Sequence, residues 1–389
     1  MKIKVGVFFG GRSVEHEVSI ISAIQAINAI DKQKYNVIPI YITKQGVWYT
    51  GEPLLNMANY KDIDKLLAKC QQILLPVNSD QPLLLNYPIR LFKKQVINQI
   101  DVAFPIFHGT HGEDGAIQGL FELINLPYVG CDVLGSAVGM NKIVMKQMLK
   151  SASFPIVNHV WFYTKEWLKN KDSLIERAEK LTYPLIVKPA TLGSSIGISK
   201  VNNRQELEEA VEIARRFSQQ LLIEAAVSNL TEINCSVLGD YDKTEVSVCE
   251  EPISGDALLS FQDKYISDHQ KTTGMSGAKR KLPADIPEDT TELIKELAKQ
   301  TFQLVNGCGV ARVDFLVDND NSRVYVNEIN TMPGSLSFYL WEASGKSFTD
   351  LTTELIRLAL KRNREKNNLM FSYDSNILAG FQGTKTSKL

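Results

Sequence analysis

Short apolar runs alternate with helix-like segments near the amino terminus, and this alternation constrains the fold more than any other feature. Between the first two runs, at residues 14–27, apolar side chains recur at spacings of three and four, the period of an amphipathic helix. A third run is followed by a glycine-rich loop and a predicted helix at 116–124. Strands and helices in this order predict an α/β fold with a parallel sheet. The three runs are residues 5–9, 35–42 and 101–107.

The same reading extends through the rest of the chain and predicts both helices and short strands. The predicted helices are residues 140–149, 204–217, 290–305 and 348–360. The predicted strands are residues 184–188, 220–224, 311–317 and 323–327. At roughly 150 residues per domain, a chain of 389 residues corresponds to two or three domains.

The charge balance excludes several classes of partner. Lysine and arginine total 43 and aspartate and glutamate 44, so the formal charge is −1. Such a chain has no general attraction for nucleic acid or an anionic membrane surface. Five scattered cysteines without a CxxC pair favour a reduced compartment, and no apolar run approaches the roughly 18 residues of a membrane span. We therefore expect a cytoplasmic protein that binds a small ligand.

The segment ARVDFLVDNDNSRVYVNEIN predicts a β-hairpin with a polar face. Arg312 and Asp314 are two residues apart on one strand, and Glu328 and Asn330 are two apart on the other. Period two places each pair on one face, and a turn near 320–321 would set Asp314 opposite Glu328. Two carboxylates and an amide suit a hard cation such as Mg²⁺. The alternative is a solvent-exposed hairpin with cross-strand charge pairs.

Two glycine-rich loops follow predicted strands. Lys188 precedes the loop 193–197, whose small residues would let backbone N–H groups approach phosphate oxygens. The alternative is a plain hairpin connection, and neither a Walker A motif nor a dinucleotide fingerprint is present. The loop FHGTHGEDG leaves a strand at the edge where α/β proteins bind ligands, and Glu15 could lie in the same crevice. Alternatively, the polar side chains of this loop could form hydrogen bonds only with the loop's own backbone.

Six motifs together resemble the D-alanine–D-alanine ligases of the ATP-grasp superfamily. They are GGRSVEHEVS, HGTHGEDGAIQG, KPATLGSSIGISKV, FQDKY, ARVDF and NEINTMPG, in the family's order across roughly residues 3–362. The resemblance implies a Rossmann-like domain with a parallel sheet, followed by the two lobes of an ATP-grasp fold. It also implies a homodimer built on the amino-terminal domain. The implied segments are residues 1–139 for the substrate domain, 140–228 and 229–364 for the two lobes, and 365–389 for a polar tail.

The resemblance further implies roles for individual residues in ATP-dependent ligation of two D-alanines through an acyl phosphate. Lys264 would contact the γ-phosphate, and the divalent ions would be two Mg²⁺ or Mn²⁺. The implied metal ligands are Asp314, Glu328 and Asn330. The implied nucleotide-binding residues are Lys142, Lys188, Ser194, Ser195, Glu224, Val227, Glu232, Lys264 and Asn327.

The implied substrate residues surround the reacting groups. Glu15 would hold the ammonium of the first D-alanine in a hydrogen-bonded triad with Ser194 and Tyr265. Arg312 and backbone N–H groups near Gly334 would stabilise the oxyanion. The remaining implied substrate contacts are His108, Ser335 and Leu336. The polar stretch 266–281 is hypothesised to be a lid that excludes water.

Two alternatives remain open at this stage. After NTMPG the chain runs through SLSFY directly into LWEASG, where the family usually has a longer serine-rich stretch. The second substrate could therefore be D-serine, D-lactate or another amino acid, although the Lys264-Tyr265 pair favours a dipeptide product. The other alternative is a catalytically silent nucleotide-binding protein, against which the full set of metal-ligand residues argues.

Overall fold

The structure is a computed structural model that describes residues 2–77, 81–89, 95–193, 195–253, 279–371 and 376. Three residues predicted to belong to the site, Ser194, Lys264 and Tyr265, lie outside the described residues, as does most of the predicted lid. Within the described part of the chain, no helix is long and apolar enough to cross a membrane.

The first sheet combines parallel and antiparallel strands. Its strands are β1 (Ile3–Gly10), β2 (Tyr35–Ile42), β3 (Trp48–Thr50), β4 (Gln71–Leu74), β5 (Leu83–Asn86), β6 (Val96–Gln99) and β7 (Val102–Ile106). They are arranged in the order β6-β5-β4-β3-β2-β1-β7. The strand β1 pairs in parallel with β2 and β7, as predicted, whereas β3 to β6 add antiparallel hairpins that were not predicted.

Helices follow the strands of this first sheet. They are α1 (His16–Ala29), α2 (Ile63–Leu67), α3 (Ala116–Leu123) and α4 (Val133–Met140), with 3₁₀ turns at Glu52–Leu55 and Met57–Lys61. The α1 helix begins directly after β1, and the α3 helix begins after the loop that leaves β7. Both connections therefore lie at the carboxyl ends of neighbouring parallel strands, the edge where ligands bind in such sheets.

The second sheet is fully antiparallel. Its strands are β8 (His159–Tyr163), β9 (Leu185–Pro189), β10 (Ser199–Val201) and β11 (Gln220–Ala225), in the order β10-β9-β11-β8. Its helices are α5 (Lys142–Ser151), α6 (Thr164–Glu179) and α7 (Arg204–Ala214). The Asn141 side chain accepts hydrogen bonds from the backbone N–H groups of Ile143 and Val144, which fixes the start of α5 at Lys142.

The third sheet is also antiparallel. Its strands are β12 (Leu230–Gly239), β13 (Thr244–Pro252), β14 (Arg280–Lys281), β15 (Gly309–Asp318) and β16 (Arg323–Asn330), in the order β14-β13-β12-β15-β16. The remaining helices are α8 (Glu288–Leu304), α9 (Phe338–Ala343) and α10 (Phe348–Asn367), with a 3₁₀ turn at Gly334–Ser337. The α10 helix continues three residues into the segment predicted as tail.

Strand alternation gives the third sheet one apolar and one polar face. Val313, Phe315 and Val317 point to a buried core that they share with Ile294 and Phe302 of α8. The intervening residues of β15 are half-buried on the opposite face. The apolar face anchors the sheet, so its polar face is free to line a cleft.

The amino- and carboxy-terminal parts share one core. Leu351, Leu355 and Ile356 of α10 are buried in the same cluster as Phe9 of β1 and Phe104 of β7. This shared packing holds the first and third sheets against each other, and the loops at their facing edges meet between them.

Candidate active site

The β15–β16 hairpin sets four polar side chains opposite one another. Asp314 pairs with Glu328, and Arg312 pairs with Asn330, with a register irregularity directly after Asp314. The cross-strand pairing predicted from the turn position is therefore confirmed. Because all four residues are half-buried on the polar face, they form a compact group at the edge of the cleft rather than a solvent-exposed surface.

Arg312 holds the Asp314 carboxylate in a two-point contact. Its Nε donates to Oδ1 over 2.6 Å and its Nη2 donates to Oδ2 over 2.7 Å. The Asn330 amide donates to the same Oδ2 over 3.0 Å. Burial disfavours the charged guanidinium, but Asp314 reverses that effect and raises the pKa of Arg312 further. The arginine is therefore a fixed, permanently charged group.

Lys142 connects the start of α5 to this hairpin. Its Nζ lies 3.0 Å from Glu328 Oε2 and donates to the Leu192 carbonyl over 2.8 Å. Its own backbone N–H donates to the Ala190 carbonyl over 2.9 Å, which ties it to the end of β9. An ammonium group held in this way faces the carboxylates from the other side of the cleft.

Lys188 and Glu224 lie on neighbouring strands of the second sheet. Lys188 pairs with Leu222 of β11, and Glu224 is two residues further along, so both side chains share one face. Lys188 Nζ is 2.5 Å from Glu224 Oε2 and donates to Asn327 Oδ1 over 3.2 Å. Lys188 therefore reaches from the second sheet to β16.

Glu224 also forms an ion pair with a second lysine, Lys146. Lys146 Nζ lies 2.7 Å from Glu224 Oε1, and all three side chains of this group are buried. Burial opposes ionisation of Glu224, but the two ammonium groups outweigh it and lower the pKa of Glu224 to about 2. The resemblance to the ligase family implies that Glu224 contacts adenine; in the structure its carboxylate is engaged by two lysines.

The hairpin residues fit a hard divalent cation. Mg²⁺ binds through one or two carboxylates and completes its shell with water and substrate phosphates. Asp314 and Glu328 supply two carboxylates in direct cross-strand register, and the Asn330 amide adds a neutral oxygen. Across the described residues, no cluster of three or more acidic, histidine or cysteine side chains forms a fully protein-ligated site.

Glu15 lies at the edge of the first sheet, against two glycines. A Cβ atom at Gly109 would stand 2.6 Å from Glu15 Oε2, and one at Gly193 would stand 3.4 Å from it. Gly193 precedes Ser194 in the predicted phosphate loop, so the two sequence clusters meet here. Glu15 is only 6% exposed, and the absence of side chains at both glycines leaves room beside its carboxylate.

His108 connects the first sheet to the loop after β16. Its Nδ1 is 3.0 Å from the Met332 carbonyl oxygen, and its Nε2 is 2.9 Å from Ser22 Oγ. A carbonyl can only accept, so Nδ1 carries the proton and Nε2 accepts from the Ser22 hydroxyl. Ser22 Oγ in turn accepts from the Ser335 N–H over 3.0 Å. Burial lowers the pKa of His108 to about 4, so the ring is neutral at physiological pH.

The remaining polar residues of the FHGTHGEDG loop divide into two groups. Asp114 accepts a hydrogen bond from the backbone N–H of His111, so its carboxylate serves the loop's own backbone. Glu113 instead accepts from the N–H of Gly109 and, across the cleft, from the N–H of Met332. Burial, with the nearby charge of Glu15, raises the pKa of Glu113 to about 8.

The turn after β16 has an uncommon backbone conformation. Ser335, Leu336 and Ser337 have φ values of 51°, 56° and 50°. These values lie in the left-handed region, which is disfavoured for residues other than glycine. All three residues are buried. Ser335 is held by the bond to Ser22, and the Leu336 N–H donates to the Pro333 carbonyl over 2.8 Å. Strain of this kind persists only where surrounding contacts impose it, and it is characteristic of binding sites.

Tyr339, four residues beyond Ser335, belongs to a buried polar group. Its hydroxyl donates to Glu250 Oε1 over 2.7 Å, and the Asn234 amide donates to the same oxygen over 3.1 Å. Arg280 Nη1 donates to Glu250 Oε2 over 3.0 Å, and its guanidinium carbon lies 3.9 Å from the centre of the Tyr339 ring. Strand β14 is thereby connected to the segment that follows the left-handed turn.

The other predicted nucleotide and substrate residues are placed as follows. Ser195 has a left-handed φ of 58°, and Val227 lies two residues after the end of β11. Glu232 is on β12 opposite Leu316 of β15, and Gly334 is buried at the start of the left-handed turn.

Sequence reasoning missed Lys146, Ser22 and Arg280. Lys146 had one available signal, since it lies four residues after Lys142 on α5 and thus shares its helix face. Ser22 lies among the buried residues of α1 and had no comparable signal, because its partners are 86 and 313 residues away. Arg280 lies in the stretch 266–281 that was predicted to be a lid, between Lys279 and Lys281, and it was given no role of its own.

Comparisons with known proteins agree over most of the chain. A family model described as the D-ala D-ala ligase N-terminus matches residues 4–131, and one described as the D-ala D-ala ligase C-terminus matches residues 148–357. The chain is 43% identical over 377 residues to a D-alanine–D-alanine ligase from Thermosipho melanesiensis, covering 97% of this chain and 98% of that protein.

Solved structures show the same similarity. The D-alanine–D-alanine ligase from Coxiella burnetii superposes with a TM-score of 0.79 at 32% identity, covering 94% of this chain and 96% of that one. The VanG D-Ala:D-Ser ligase from Enterococcus faecalis superposes with a TM-score of 0.77 at 30% identity, covering 92% of this chain and 100% of that one.

Proposed function

The chain belongs to the D-alanine–D-alanine ligase family, and we propose that it joins two D-alanine molecules with ATP in the cleft described above. It is an ADP-forming carboxylate–amine ligase whose product, D-alanyl-D-alanine, is a peptidoglycan precursor. The observation that carries the proposal is the 3.0 Å ion pair between Lys142 and Glu328. It joins a lysine suited to a phosphate with a carboxylate suited to a divalent cation, from two different parts of the fold.

The first step activates a carboxylate. A carboxylate does not react with an amine, so an oxygen of the first D-alanine attacks the γ-phosphorus of ATP, giving an acyl phosphate and ADP. Glu15 accepts from the ammonium of this D-alanine, which its buried position beside Gly109 and Gly193 supports. Lys142 and Lys188 bind the phosphates, with Lys264 on the γ-phosphate.

The second step forms the peptide bond. The amine of the second D-alanine attacks the acyl carbon, the carbon–oxygen bond to phosphate breaks, and the amine releases a proton. Arg312 and the backbone N–H of Gly334 stabilise the negative charge on the carbonyl oxygen. The fixed geometry of Arg312 on Asp314 supports this role, because a preorganised charge need not reorient during attack. Ser335 and Leu336 bind the second substrate.

The hairpin holds the divalent ions. Asp314, Glu328 and Asn330 bind two Mg²⁺ or Mn²⁺ ions, and such ions, when bound, offset the charge of the transferred phosphoryl group. The cross-strand register of the two carboxylates supports this assignment. The other proposed nucleotide contacts are Ser194, Ser195, Glu224, Val227, Glu232 and Asn327.

We also propose the surroundings in which the enzyme works. Tyr265 and Ser194 complete a hydrogen-bonded triad with Glu15. His108 positions the left-handed turn that contains Ser335 and Leu336. The chain divides at residues 139 and 228 into a substrate domain and two ATP-grasp lobes. It acts in the cytoplasm as a homodimer built on the amino-terminal domain.

The direct test is phosphate release from ATP with D-alanine alone, with the products identified by mass. We expect D-alanyl-D-alanine together with ADP and phosphate in equal amounts. D-Serine and D-lactate are then each added with D-alanine. Release that requires one of them would replace the proposal with the mixed-substrate alternative, and no release with any D-substrate would contradict ligase activity.

A further inference from the structure

Lys146 is a buried lysine to which the proposed chemistry gives no task. Its side chain is 1% exposed, in the middle of α5. A buried ammonium is costly unless it is paired, because water solvates it far better than a protein interior does. The fold nevertheless places Lys146 Nζ 2.7 Å from Glu224 Oε1.

The other oxygen of Glu224 faces a lysine that the proposed function does use. Lys188 Nζ lies 2.5 Å from Glu224 Oε2, so one carboxylate is shared between two ammonium groups. With all three groups ionised, the trio carries one net positive charge. If Lys146 were neutral and apolar, Glu224 would pair with Lys188 alone, and that local charge would fall to zero.

We propose that Lys146 is a positioning residue for the triphosphate of ATP, acting through Glu224 on Lys188. Lys146 pairs with one carboxylate oxygen of Glu224, so only the other oxygen is left for Lys188. The net positive charge of the three groups then remains available to attract an anion. The second contact of Lys188, 3.2 Å to Asn327 Oδ1, points its ammonium towards the cleft. The inference rests on the proposed function, because it assigns the phosphates of ATP to Lys188.

The alternative is that Lys146 only fills space in the core of α5. The two roles make different predictions for charge-balanced variants. Lys146→Met keeps the length of the side chain but removes its charge, and the double variant Lys146→Met/Glu224→Gln returns the local charge to one. If the role of Lys146 is purely structural, the double variant should bind no better than Lys146→Met, since the double variant lacks both members of the ion pair.

The measurement is equilibrium binding of ATP in the absence of D-alanine, followed by the KM for ATP and for D-alanine. We expect Lys146→Met to weaken ATP binding about 10-fold or more, with adenosine binding and the KM for D-alanine little changed. Because Glu224 is itself a proposed contact of adenine, the double variant is tested with inorganic triphosphate, and it should regain most of the triphosphate affinity that Lys146→Met loses. Lys146→Arg keeps a positive charge at this position, so it should bind ATP within a few-fold of the parent.

The matched control is Lys150→Met, four residues further along α5, where the lysine is exposed. It should bind ATP as the parent does. Unchanged ATP affinity in Lys146→Met would overturn the proposal, and so would a double variant that binds inorganic triphosphate no better than the single one. If Lys146→Met does not fold, the comparison of Lys146→Arg with the double variant decides, because only a charge-based role predicts tight binding of triphosphate in both. Binding needs no turnover, so a parent protein that binds ATP without making dipeptide would contradict the proposed function alone.

Discussion

Glu328 on β16 and Lys142 at the start of α5 form an ion pair of 3.0 Å across the cleft. Glu328 belongs to a strand and Lys142 to a helix, and they are 186 positions apart in the chain, yet each is held by independent contacts. Lys142 is tied to Ala190 and Leu192, and Glu328 is paired with Asp314. The carboxylate proposed to bind a cation and the lysine proposed to bind phosphate are thus kept within reach of one ligand.

The first prediction concerns this carboxylate. Glu328→Gln keeps the shape of the side chain but removes the charge that would hold a divalent ion, so we expect ligase turnover to fall by about 100-fold or more. Initial rates of ADP release over a range of Mg²⁺ concentrations measure it. The control is Glu292→Gln on the exposed surface of α8, which should leave the rate unchanged. Near-parental turnover in Glu328→Gln would refute the metal assignment.

The second prediction concerns the space beside Glu15. A Cβ at Gly109 would stand 2.6 Å from Glu15 Oε2 and 2.8 Å from Ser13 Oγ, at a φ of +74°. Gly109→Ala should therefore displace Glu15 and lower kcat/KM for D-alanine by about 10-fold or more. Gly119→Ala in α3, where a Cβ meets nothing within 4 Å, serves as the control and should keep the parental value. Equal kinetics in both variants would show that Glu15 does not orient the substrate.

The third prediction concerns acid stability. The ordinary pKa of 6.5 applies to His108 in the unfolded chain, but burial lowers it to about 4 in the folded protein. Between these pH values the unfolded chain binds the additional proton, so the free energy of unfolding falls as pH drops from about 6.5 to about 4. The contribution is about 3 kcal/mol over that window.

Denaturant titrations of the parent and of His108→Gln, at several pH values between 7.5 and 4, measure this effect. The difference between the two proteins isolates His108 from the carboxylates that titrate in the same range. A difference that does not shrink towards pH 4 would rule out a buried neutral His108 as its source.

The fourth prediction concerns the left-handed turn. Ser337 has a φ of 50°, and its buried hydroxyl has no hydrogen-bond partner within the described ranges of the chain. Ser337→Gly should raise the free energy of unfolding by about 1 kcal/mol, because it relieves the conformation and removes the buried polar group. Gly345→Ala, at a φ of +85° with no atom near its Cβ, should cost about the same amount. Thermal and denaturant unfolding measure both, and a destabilised Ser337→Gly would show that the hydroxyl has a structural partner.

Much of the fold followed from local patterns. The strand predicted at 35–42 is β2, and the strand and helix predicted near residues 5 and 116 are β1 and α3 within two residues at each end. The antiparallel strands β12 and β13 were not predicted, although they pair with each other across a short turn at 240–243; β12 also pairs with the distant strand β15. The pairing of Asp314 with Glu328 could be predicted because a short turn alone sets its register.

By itself the sequence determined most of the helices, several strands and the residue types at their ends, because periodicity and turn chemistry act over a few neighbouring residues. The tertiary structure decided which of these residues lie together, which carboxylate Lys146 and Lys188 share, and that His108 supports the left-handed turn through Ser22. Such contacts join positions tens to hundreds of residues apart. They exist only once packing of the three sheets has offset the loss of chain entropy, so no local pattern encodes them.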